Sequence, residues 1–304
     1  MISTTVQNIL AGFVPKEHIF LNEPMRKHTT FQVGGEADCL ILIEKEEELI
    51  RLLHYLNQIE IPYLILGNGS NLLVSDEGFR GIVLKTKGCF SKIQTDGDQI
   101  TAQAGALLSQ VAKEAYEQGL TGLEFAAGIP GTVGGAVVMN AGAYGGEMAQ
   151  VVKEVQVVDR GGEILFMDNE TMEFGYRKSA IMKQPFVVMQ VTFQLKKGDP
   201  AQIKARMDEL AAARRKKQPL EFPSAGSTFK RPQGSFAGKL IMDAGYRGYT
   251  LGGAQVSEKH CGFIINKGQA TAQDIADLMQ EVSDGVYEKF GIRLEPEVIK
   301  IGRL

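Results

Sequence analysis

Glycine is concentrated in three stretches of this chain, at residues 67–69, 128–146 and 245–253. The chain has 35 glycines in its 304 residues, and apolar sequence flanks the first two stretches. Glycine tolerates backbone conformations and close approaches that a Cβ atom would forbid. Such clusters therefore indicate special turns, or places where a ligand lies against the main chain, rather than a flexible linker.

The first stretch follows a short apolar segment, Tyr63–Leu66, which reads as a buried strand. The strand leads into Gly67-Asn68-Gly69-Ser70-Asn71. A turn of this composition can direct several backbone N–H groups at one point, and its side chains add polar contacts. This arrangement suits an anion such as a diphosphate. A plain surface turn is the alternative explanation.

The second stretch runs from Gly128-Ile129-Pro130-Gly131 through Gly134-Gly135 to Asn140 and Gly142. Its low bulk would let a flat ligand lie against the backbone, although a glycine-rich bend between strands is the alternative. Two such loops in one domain fit a dinucleotide better than a mononucleotide. The spacing is not GxGxxG, no acidic ribose partner follows, and residues 234–240 fail the Walker A pattern, so neither a Rossmann site nor a P-loop is predicted.

Hydrophobic periodicity places further elements along the chain. A helix over 45–59 between strands 37–43 and 63–66 predicts a βαβ unit, and Gly119 is expected to end a helix over 107–118. Strands are predicted at 81–86, 99–104, 151–159, 163–167, 186–196, 262–266 and 293–301, and helices at 201–217, 238–244 and 272–290. The 151–167 pair reads as a hairpin. We place a domain boundary near residue 200, giving domains 1–200 and 201–304.

Composition excludes several classes of function. The net charge of −3 gives no general basic field for nucleic acid, and residues 214–217 form only a local basic run. No apolar stretch is long enough to span a bilayer, and residues 1–13 do not resemble a secretory signal. The three cysteines, Cys39, Cys89 and Cys261, and the four histidines are scattered, so we expect no metal site and a reducing, cytoplasmic location.

Seven segments, in order, resemble the UDP-N-acetylenolpyruvoylglucosamine reductase (MurB) family over nearly the whole chain. Any one of them is only modestly specific, but their common order is hard to obtain by chance. The segments are His28–Gly35, Gly67–Leu73, Gly128–Glu147, Phe174–Arg177, Ala225–Pro232, Ala244–Gly253 and the neighbourhood of Glu297-Val298.

The resemblance implies an α+β protein with a non-Rossmann FAD-binding fold of the vanillyl-alcohol-oxidase/PCMH type, made of two α/β subdomains. It further implies a C-terminal α/β substrate-binding domain. The chain is similar to the shorter family type, which lacks the extra substrate-domain insertion. Some flavin oxidases of the wider group attach FAD through His or Cys near the first loop. Residues 67–71 contain neither, so we expect FAD to be bound non-covalently.

The resemblance also implies an activity. The family's flavoproteins reduce UDP-N-acetylglucosamine enolpyruvate to UDP-N-acetylmuramate with FAD as cofactor and NADPH as co-substrate, in the synthesis of peptidoglycan precursors for the cell wall. Such an enzyme serves cell shape and cell division. It would bind small molecules rather than nucleic acid or membrane, and we expect a monomer. The alternatives are an oxidase of the same fold acting on an alcohol or sugar, and a non-catalytic nucleotide-sugar binding protein.

Three residues carry the chemistry that the resemblance implies. Arg177 would hold the substrate carboxylate, Ser227 would donate a proton to carbon, and Glu297 would polarise the intermediate. A serine is a poor acid in water, so Ser227 is expected in a dry site. Glu297 is expected to point inward from the last strand, and Glu295 outward. Alone, each residue has an ordinary explanation: a loop arginine, a capping serine or an exposed glutamate.

The remaining predicted site residues belong to two sets. The cofactor-binding set is Gly67, Asn68, Gly69, Ser70, Asn71, Gly128, Ile129, Pro130, Gly131, Gly134, Gly135, Asn140 and Gly142. The substrate-binding set is Tyr176, Arg214, Lys217, Lys230, Arg247, Gln255 and Asn266. Some relatives have a basic residue where this chain has Ile299, which leaves the contacts near the C-terminus open.

Overall fold

The structure is a computed structural model that describes residues 4–86, 88 and 90–304. The chain folds into two compact units. The first unit comprises Met1–Leu21, Cys39–Asn68 and Gly81–Arg214, and the second comprises Asn22–Asp38, Gly69–Arg80 and Arg215–Leu304. Both units are therefore discontinuous in sequence, and the boundary near residue 200 stays a prediction about domains.

The α-helices of the described residues are α1 Thr4–Leu10, α2 Glu46–Gln58, α3 Leu108–Glu117, α4 Val133–Val138, α5 Pro200–Lys217, α6 Ala237–Asp243 and α7 Ala272–Phe290. The strands are β1 Ile19–Pro24, β2 Glu36–Leu42, β3 Tyr63–Leu66, β4 Leu72–Val74, β5 Phe79–Lys85, β6 Ile93–Asp96, β7 Gln99–Gln103, β8 Leu120–Thr121, β9 Gly142–Ala143, β10 Gly146–Glu147, β11 Val152–Val158, β12 Ile164–Asp168, β13 Val187–Gln194, β14 Lys196–Lys197, β15 Thr250–Leu251, β16 Ala254–Val256, β17 Ile264–Asn266 and β18 Ile299–Ile301.

The first unit is built around an antiparallel sheet of order β12-β11-β13-β7-β6. A second sheet has the order β1-β2-β5-β3, and the chain changes unit within β1, β2 and β5. Apolar side chains of both sheets, α2 and α3 form one buried core. This core supports the glycine-rich loops of the first unit.

Local sequence explains the two amphipathic helices of this core. Four leucines of α2, at positions 49, 52, 53 and 56, are fully buried, as their helical spacing predicts. The carboxylate of Glu48 accepts a hydrogen bond from the backbone N–H of Lys45 and so caps the start of α2. Gly119, at φ 65°, follows the end of α3 as predicted.

The second unit has its own core. The sheet β15-β16-β17 packs with α6 and α7, and β18 pairs in parallel with β4. Thr271 caps α7 through its hydroxyl, which accepts from the Asp274 N–H at 3.0 Å. Gly291, at φ 67°, ends α7. Residues from 22–38 and 69–80 complete this core, including Phe31 and Leu73.

The predicted strand–helix–strand order is present as β2, α2 and β3, and both strands belong to one sheet with β5 between them. Two predictions about elements were wrong in detail. The predicted strand over 186–196 ends at Gln194, and β14 pairs separately with β8. The predicted strand over 293–301 is limited to Ile299–Ile301, since the preceding residues make only an isolated bridge, between Pro296 and Phe229.

Within the described ranges, no helix is long and apolar enough to cross a membrane. The same residues contain no group of three or more His, Cys, Asp or Glu side chains placed to hold a metal ion. Cys39 and Cys261 are buried free thiols. Cys89 and Met1–Ser3 lie outside the described residues.

Candidate active site

In the first unit, Gly67 and Asn68, which begin the first predicted glycine loop, lie against the second loop. The side-chain amide of Asn68 donates a hydrogen bond to the Pro130 carbonyl. A Cβ atom at position 67 would clash with the hydroxyl of Thr132, so glycine is required there. Likewise, a Cβ at position 134 would lie 2.9 Å from the Cβ of Ala104. Close packing, rather than looseness, accounts for these glycines.

Backbone donors are left available on both loops. Among the described residues, no protein acceptor pairs with the N–H groups of Asn68, Gly69, Ser70, Gly131 or Gly135. Such donors at a tight turn form the anion-binding concavity that a diphosphate requires. Within the first unit, the available donors of Asn68, Gly131 and Gly135 therefore fit the diphosphate of a dinucleotide cofactor such as FAD.

Asn140 belongs to the same predicted set, but its side chain makes hydrogen bonds within the protein. Its side chain is almost fully buried, donates to the Gly175 carbonyl at 3.0 Å and accepts from the Ala149 N–H at 2.9 Å. Its φ of 41° is unusual for a residue other than glycine. The Asn140 side chain thus ties the second loop to the segment that carries Arg177.

Arg177 lies in a two-residue turn. Gly175 and Lys178 exchange both backbone hydrogen bonds, which leaves Tyr176 and Arg177 at the tip. Arg177 has a φ of 54°, a left-handed conformation that such turns normally give to glycine or asparagine. Its guanidinium contacts the Gly142 carbonyl at 3.4 Å and stacks 5.1 Å from the Tyr176 ring centroid. The turn therefore holds the Arg177 backbone in a conformation that costs about 1–3 kcal/mol.

Arg214 lies in the first unit, at the end of its last segment. Its side chain is half-buried, and its Cδ would lie 3.2 Å from a Cβ at Gly128. Burial lowers the pKa of Arg214, because desolvation disfavours the charged form. Arg214, predicted to bind substrate, is thus located beside a predicted cofactor loop.

In the second unit, Ser227 and Glu297 lie on two paired segments. The Glu297 N–H donates to the Thr228 carbonyl at 2.9 Å, and the Lys230 N–H donates to the Glu295 carbonyl at 2.8 Å. Thr228, which follows Ser227 directly, is fully buried. The structure therefore brings Ser227 and Glu297 together, whereas Arg177 belongs to the other unit.

The surroundings of these two residues differ from the expected ones in part. Ser227 is exposed rather than in a dry site, and Glu297 is half-buried but lies before β18 instead of within a strand. Glu295 is exposed and forms an ion pair with Lys230. Lys230 and Glu295 also line a cavity of about 380 Å³ with Arg231, Gln233 and Arg293, among others.

The other predicted substrate contacts have structural partners. Gln255 donates to the Gly248 carbonyl at 3.2 Å, and Asn266 donates to the Phe31 carbonyl at 3.1 Å. The Nε of Arg247 donates to the Glu258 carbonyl at 2.9 Å. Lys217 is exposed, and its charge adds to the burial that lowers the pKa of His260.

Sequence reasoning missed Thr228 and Thr132. Thr228 donates its N–H to Gly262, and its hydroxyl accepts from the Ile264 N–H at 2.9 Å, so it fixes the residue after Ser227 from both sides. Both threonines act through contacts with residues distant in sequence, and hydrophobic periodicity cannot predict such contacts. Their position beside predicted site residues was the only available signal.

Two family models match the chain. A model for an FAD binding domain matches residues 37–168, and a model for the C-terminal domain of UDP-N-acetylenolpyruvoylglucosamine reductase matches residues 218–301. The first lies mainly in the first unit and covers both glycine loops, and the second lies in the second unit and covers Ser227 and Glu297.

Individual proteins agree with the family models. The UDP-N-acetylenolpyruvoylglucosamine reductase of Clostridioides difficile (strain 630) is 52% identical over 293 residues, 96% of each chain. The crystal structure of UDP-N-acetylenolpyruvylglucosamine reductase (MurB) from Thermus caldophilus matches with a TM-score of 0.81 and 39% identity, over 93% of this chain and 98% of that one. An alkyldihydroxyacetonephosphate synthase, 13% identical with a TM-score of 0.50 over 65% of this chain and 41% of that one, shares the fold alone.

These matches confirm the predicted fold class, an FAD-binding fold of the PCMH type followed by a distinct C-terminal domain. They also confirm the predicted resemblance over its full extent. The chain belongs to the UDP-N-acetylenolpyruvoylglucosamine reductase family.

Proposed function

We propose that this protein reduces UDP-N-acetylglucosamine enolpyruvate to UDP-N-acetylmuramate with NADPH, in the synthesis of peptidoglycan precursors. Membership of the family over 96% of the chain supports this activity. The pairing of the Ser227 and Glu297 segments through Thr228 is the structural observation that carries it. An oxidase of the same fold has no need of a proton donor placed beside a carboxylate.

FAD is the cofactor, and when bound it supplies the redox chemistry by accepting hydride from NADPH and passing it to the enolpyruvyl double bond. Asn68, Gly131 and Gly135, all in the first unit, would hold its diphosphate through their unpaired N–H groups. Gly67, Gly128, Ile129, Pro130, Gly134, Asn140 and Gly142 would complete the loops that carry these donors. The lack of a Cβ at Gly67 supports this role, because it allows the backbone at Gly67 to pack closely against Thr132 of the second loop.

Arg177 would hold the substrate carboxylate. Its guanidinium is always charged and can grip a carboxylate with two parallel hydrogen bonds. Negative charge spreads into that carboxylate once hydride adds to the neighbouring double bond, so the same contact strengthens as the reaction proceeds. Tyr176, stacked on Arg177, would orient it.

Ser227 would donate the proton that completes the reduction. Hydride adds to one carbon of the double bond, and the Ser227 hydroxyl proton goes to the other. Because Ser227 is exposed in this structure, bound substrate must exclude the water around it. Lys230, three residues along, is close enough in sequence to stabilise the alkoxide that remains.

Glu297 would stabilise the charge that develops before the proton arrives. A protonated carboxyl group can donate a hydrogen bond to a developing enolate. Glu295 is exposed and paired with Lys230, so it is the weaker candidate.

The basic residues Arg214, Lys217, Lys230 and Arg247 are the proposed contacts of the substrate diphosphate, and Gln255 and Asn266 those of uridine or sugar. Lys230 has the best structural support, since it lines a cavity with two arginines. Gln255 and Asn266 already donate hydrogen bonds to backbone carbonyls, so they would contact the substrate through their remaining hydrogen-bonding groups.

We propose further that the enzyme is a cytoplasmic monomer of two domains, 1–200 and 201–304. Free thiols at Cys39 and Cys261 suit a reducing compartment. The matched family segments, 37–168 and 218–301, lie on either side of the proposed boundary. Light scattering on the purified protein measures the oligomeric state.

A stopped-flow experiment tests the activity. The purified protein is reduced anaerobically with one equivalent of NADPH and then mixed with UDP-N-acetylglucosamine enolpyruvate. We expect rapid return of the oxidised-flavin absorbance and formation of UDP-N-acetylmuramate. Reoxidation only by O₂ would favour an oxidase, and a colourless protein without flavin after denaturation would favour a binding protein.

A further inference from the structure

The side chain of Asn71, although it belongs to the first predicted cofactor loop, is directed at the backbone of Glu297. Its amide nitrogen donates to the Glu297 carbonyl at 3.1 Å. The Asn71 carbonyl in turn accepts from the Ile299 N–H at 2.9 Å, just where β4 and β18 begin their parallel pairing. Asn71 therefore holds the chain on both sides of Val298.

The other edge of the Glu297 segment is held by Thr228. The Glu297 N–H donates to the Thr228 carbonyl, and Thr228 is fixed by its bonds to Gly262 and Ile264. Both peptide groups of Glu297 are thus bonded, one to the Ser227 side and one to Asn71. Since residues 292–298 form no regular strand, these bonds, rather than a continuous ladder, hold the backbone from which the Glu297 side chain extends.

We propose that Asn71 is a positioning residue for Glu297, acting through the Glu297 carbonyl, and that its side chain does not serve mainly to bind FAD. This inference rests on the proposed role of Glu297. A displacement of a reacting group by about 1 Å can cost about 100-fold in rate. Loss of one of several supporting bonds would produce a smaller displacement and a smaller loss.

The test is a double-mutant cycle between Asn71→Ala and Glu297→Gln in the FAD-loaded enzyme. We expect Asn71→Ala to slow flavin reoxidation by the enolpyruvyl substrate about tenfold in the wild-type background, but less than about twofold in the Glu297→Gln background. Reduction by NADPH and FAD retention should change by less than about twofold, because no bond to the cofactor is removed. Hydrogen exchange at the Glu297 and Ile299 amides should rise in Asn71→Ala, independently of activity.

Asn68→Ala is the matched control, since it removes the same kind of amide-to-carbonyl bond from the same turn. We expect Asn68→Ala to weaken FAD retention. It should slow flavin reoxidation by the same factor in the wild-type and Glu297→Gln backgrounds. The proposal is overturned if Asn71→Ala loses FAD, leaves reoxidation unchanged, or costs equally in both backgrounds. A wild-type enzyme that fails to react with the enolpyruvyl substrate would instead contradict the proposed function.

Discussion

At the scale of single residues, the candidate site depends on side chains whose backbones are fixed by unusual means. Ser227 follows Gly226, which has a φ of 77°, and precedes the fully buried Thr228. The serine is thus exposed on a rigid support. An exposed hydroxyl on a fixed backbone can meet a substrate without rearrangement of the protein, which is what a proton donor requires.

Replacing Ser227 with alanine tests this role. Because the variant removes the proton donor and leaves the flavin loops intact, we expect flavin reduction by NADPH to change little. Reoxidation by the enolpyruvyl substrate should slow by about 100-fold or more. Rapid-reaction absorbance of each half-reaction measures both rates. Ser235→Ala, also in the second unit, is the control, and equal losses in the two half-reactions of Ser227→Ala would indicate a structural serine.

Arg177 allows a prediction of opposite effects on stability and activity. The left-handed backbone of a non-glycine residue costs about 1–3 kcal/mol, and asparagine tolerates that conformation better than arginine. Arg177→Asn should therefore raise the unfolding free energy by up to about 1 kcal/mol while reducing kcat/KM by about 1000-fold through loss of the carboxylate contact. Urea denaturation and steady-state kinetics measure the two quantities.

The matched control for Arg177→Asn is Lys183→Asn, an exposed lysine with a φ of −104°. It should change neither quantity appreciably. A destabilised Arg177→Asn protein would show that the guanidinium contacts to Gly142 and Tyr176 contribute more than the backbone conformation costs.

Secondary-structure elements join distant parts of the second unit. Asp76 comes from the 69–80 segment, and its carboxylate accepts the backbone N–H groups of Ala272 and Gln273 at 2.9 and 3.0 Å. These are donors in the first turn of α7, which Thr271 also caps. The side chain therefore fixes α7 against the segment that contains β4.

Removing this carboxylate should destabilise the second unit. We expect Asp76→Ala to lower the unfolding free energy by about 1–2 kcal/mol, since two helical N–H groups lose an acceptor and the helix dipole loses a partner. Asp76→Asn keeps one acceptor, so its unfolding free energy should lie between those of Asp76→Ala and the wild type. Urea denaturation measures the change, and Glu77→Ala serves as the neighbouring control. Equal midpoints for Asp76→Ala and wild type would show that Thr271 alone suffices.

The segment 257–263 allows a prediction about pH. The pKa of His260 is lowered, chiefly by burial, and its Nδ1 accepts from the Gly262 N–H at 3.1 Å. Above the pKa of the unfolded chain both states are neutral, and this histidine contributes no pH dependence. As the pH falls below about 6.5, the unfolded state binds the proton first, so folding stability decreases.

His260→Gln should therefore lose less thermal stability than wild type between pH 7.5 and about 5.5. Melting temperatures in low-salt buffers across that range measure the difference. His54→Gln is the control substitution, because His54 is an exposed histidine outside this segment. A steeper slope for His260→Gln than for wild type would reverse the assigned sign.

The helices and strands were largely predictable, whereas their partners were not. The leucine spacing of α2 and the Gly119 stop after α3 are local signals, and both predictions were confirmed. The insertion of β5 between β2 and β3 depends on long-range pairing, which no sequence window contains. The prediction that Glu297 lies in a strand failed for the same reason. The apolar pattern of 293–301 contains no sign that the Glu297 backbone bonds separately to Thr228 and to Asn71.

At the scale of the whole molecule, the two units are each made from separated segments of the chain. A predicted boundary at residue 200 describes the order of the family segments but not the exchange of 22–38 and 69–80 into the second unit. The first cofactor loop contains one of these exchange points, between Asn68 and Gly69.

Removal of FAD should destabilise the folded protein, because a bound ligand favours the folded state. A ligand that binds only the folded state stabilises it by about 2.7 kcal/mol when present at 100 times its dissociation constant. We expect the apoprotein to melt several degrees lower than the holoenzyme, about 2–4 °C per kcal/mol for a chain above 150 residues, and added FAD to restore the melting temperature. Riboflavin, which lacks the diphosphate, should restore little, because the unpaired N–H groups of Asn68, Gly131 and Gly135 are the proposed anion donors. Equal rescue by riboflavin and FAD would show that the loops do not bind a diphosphate.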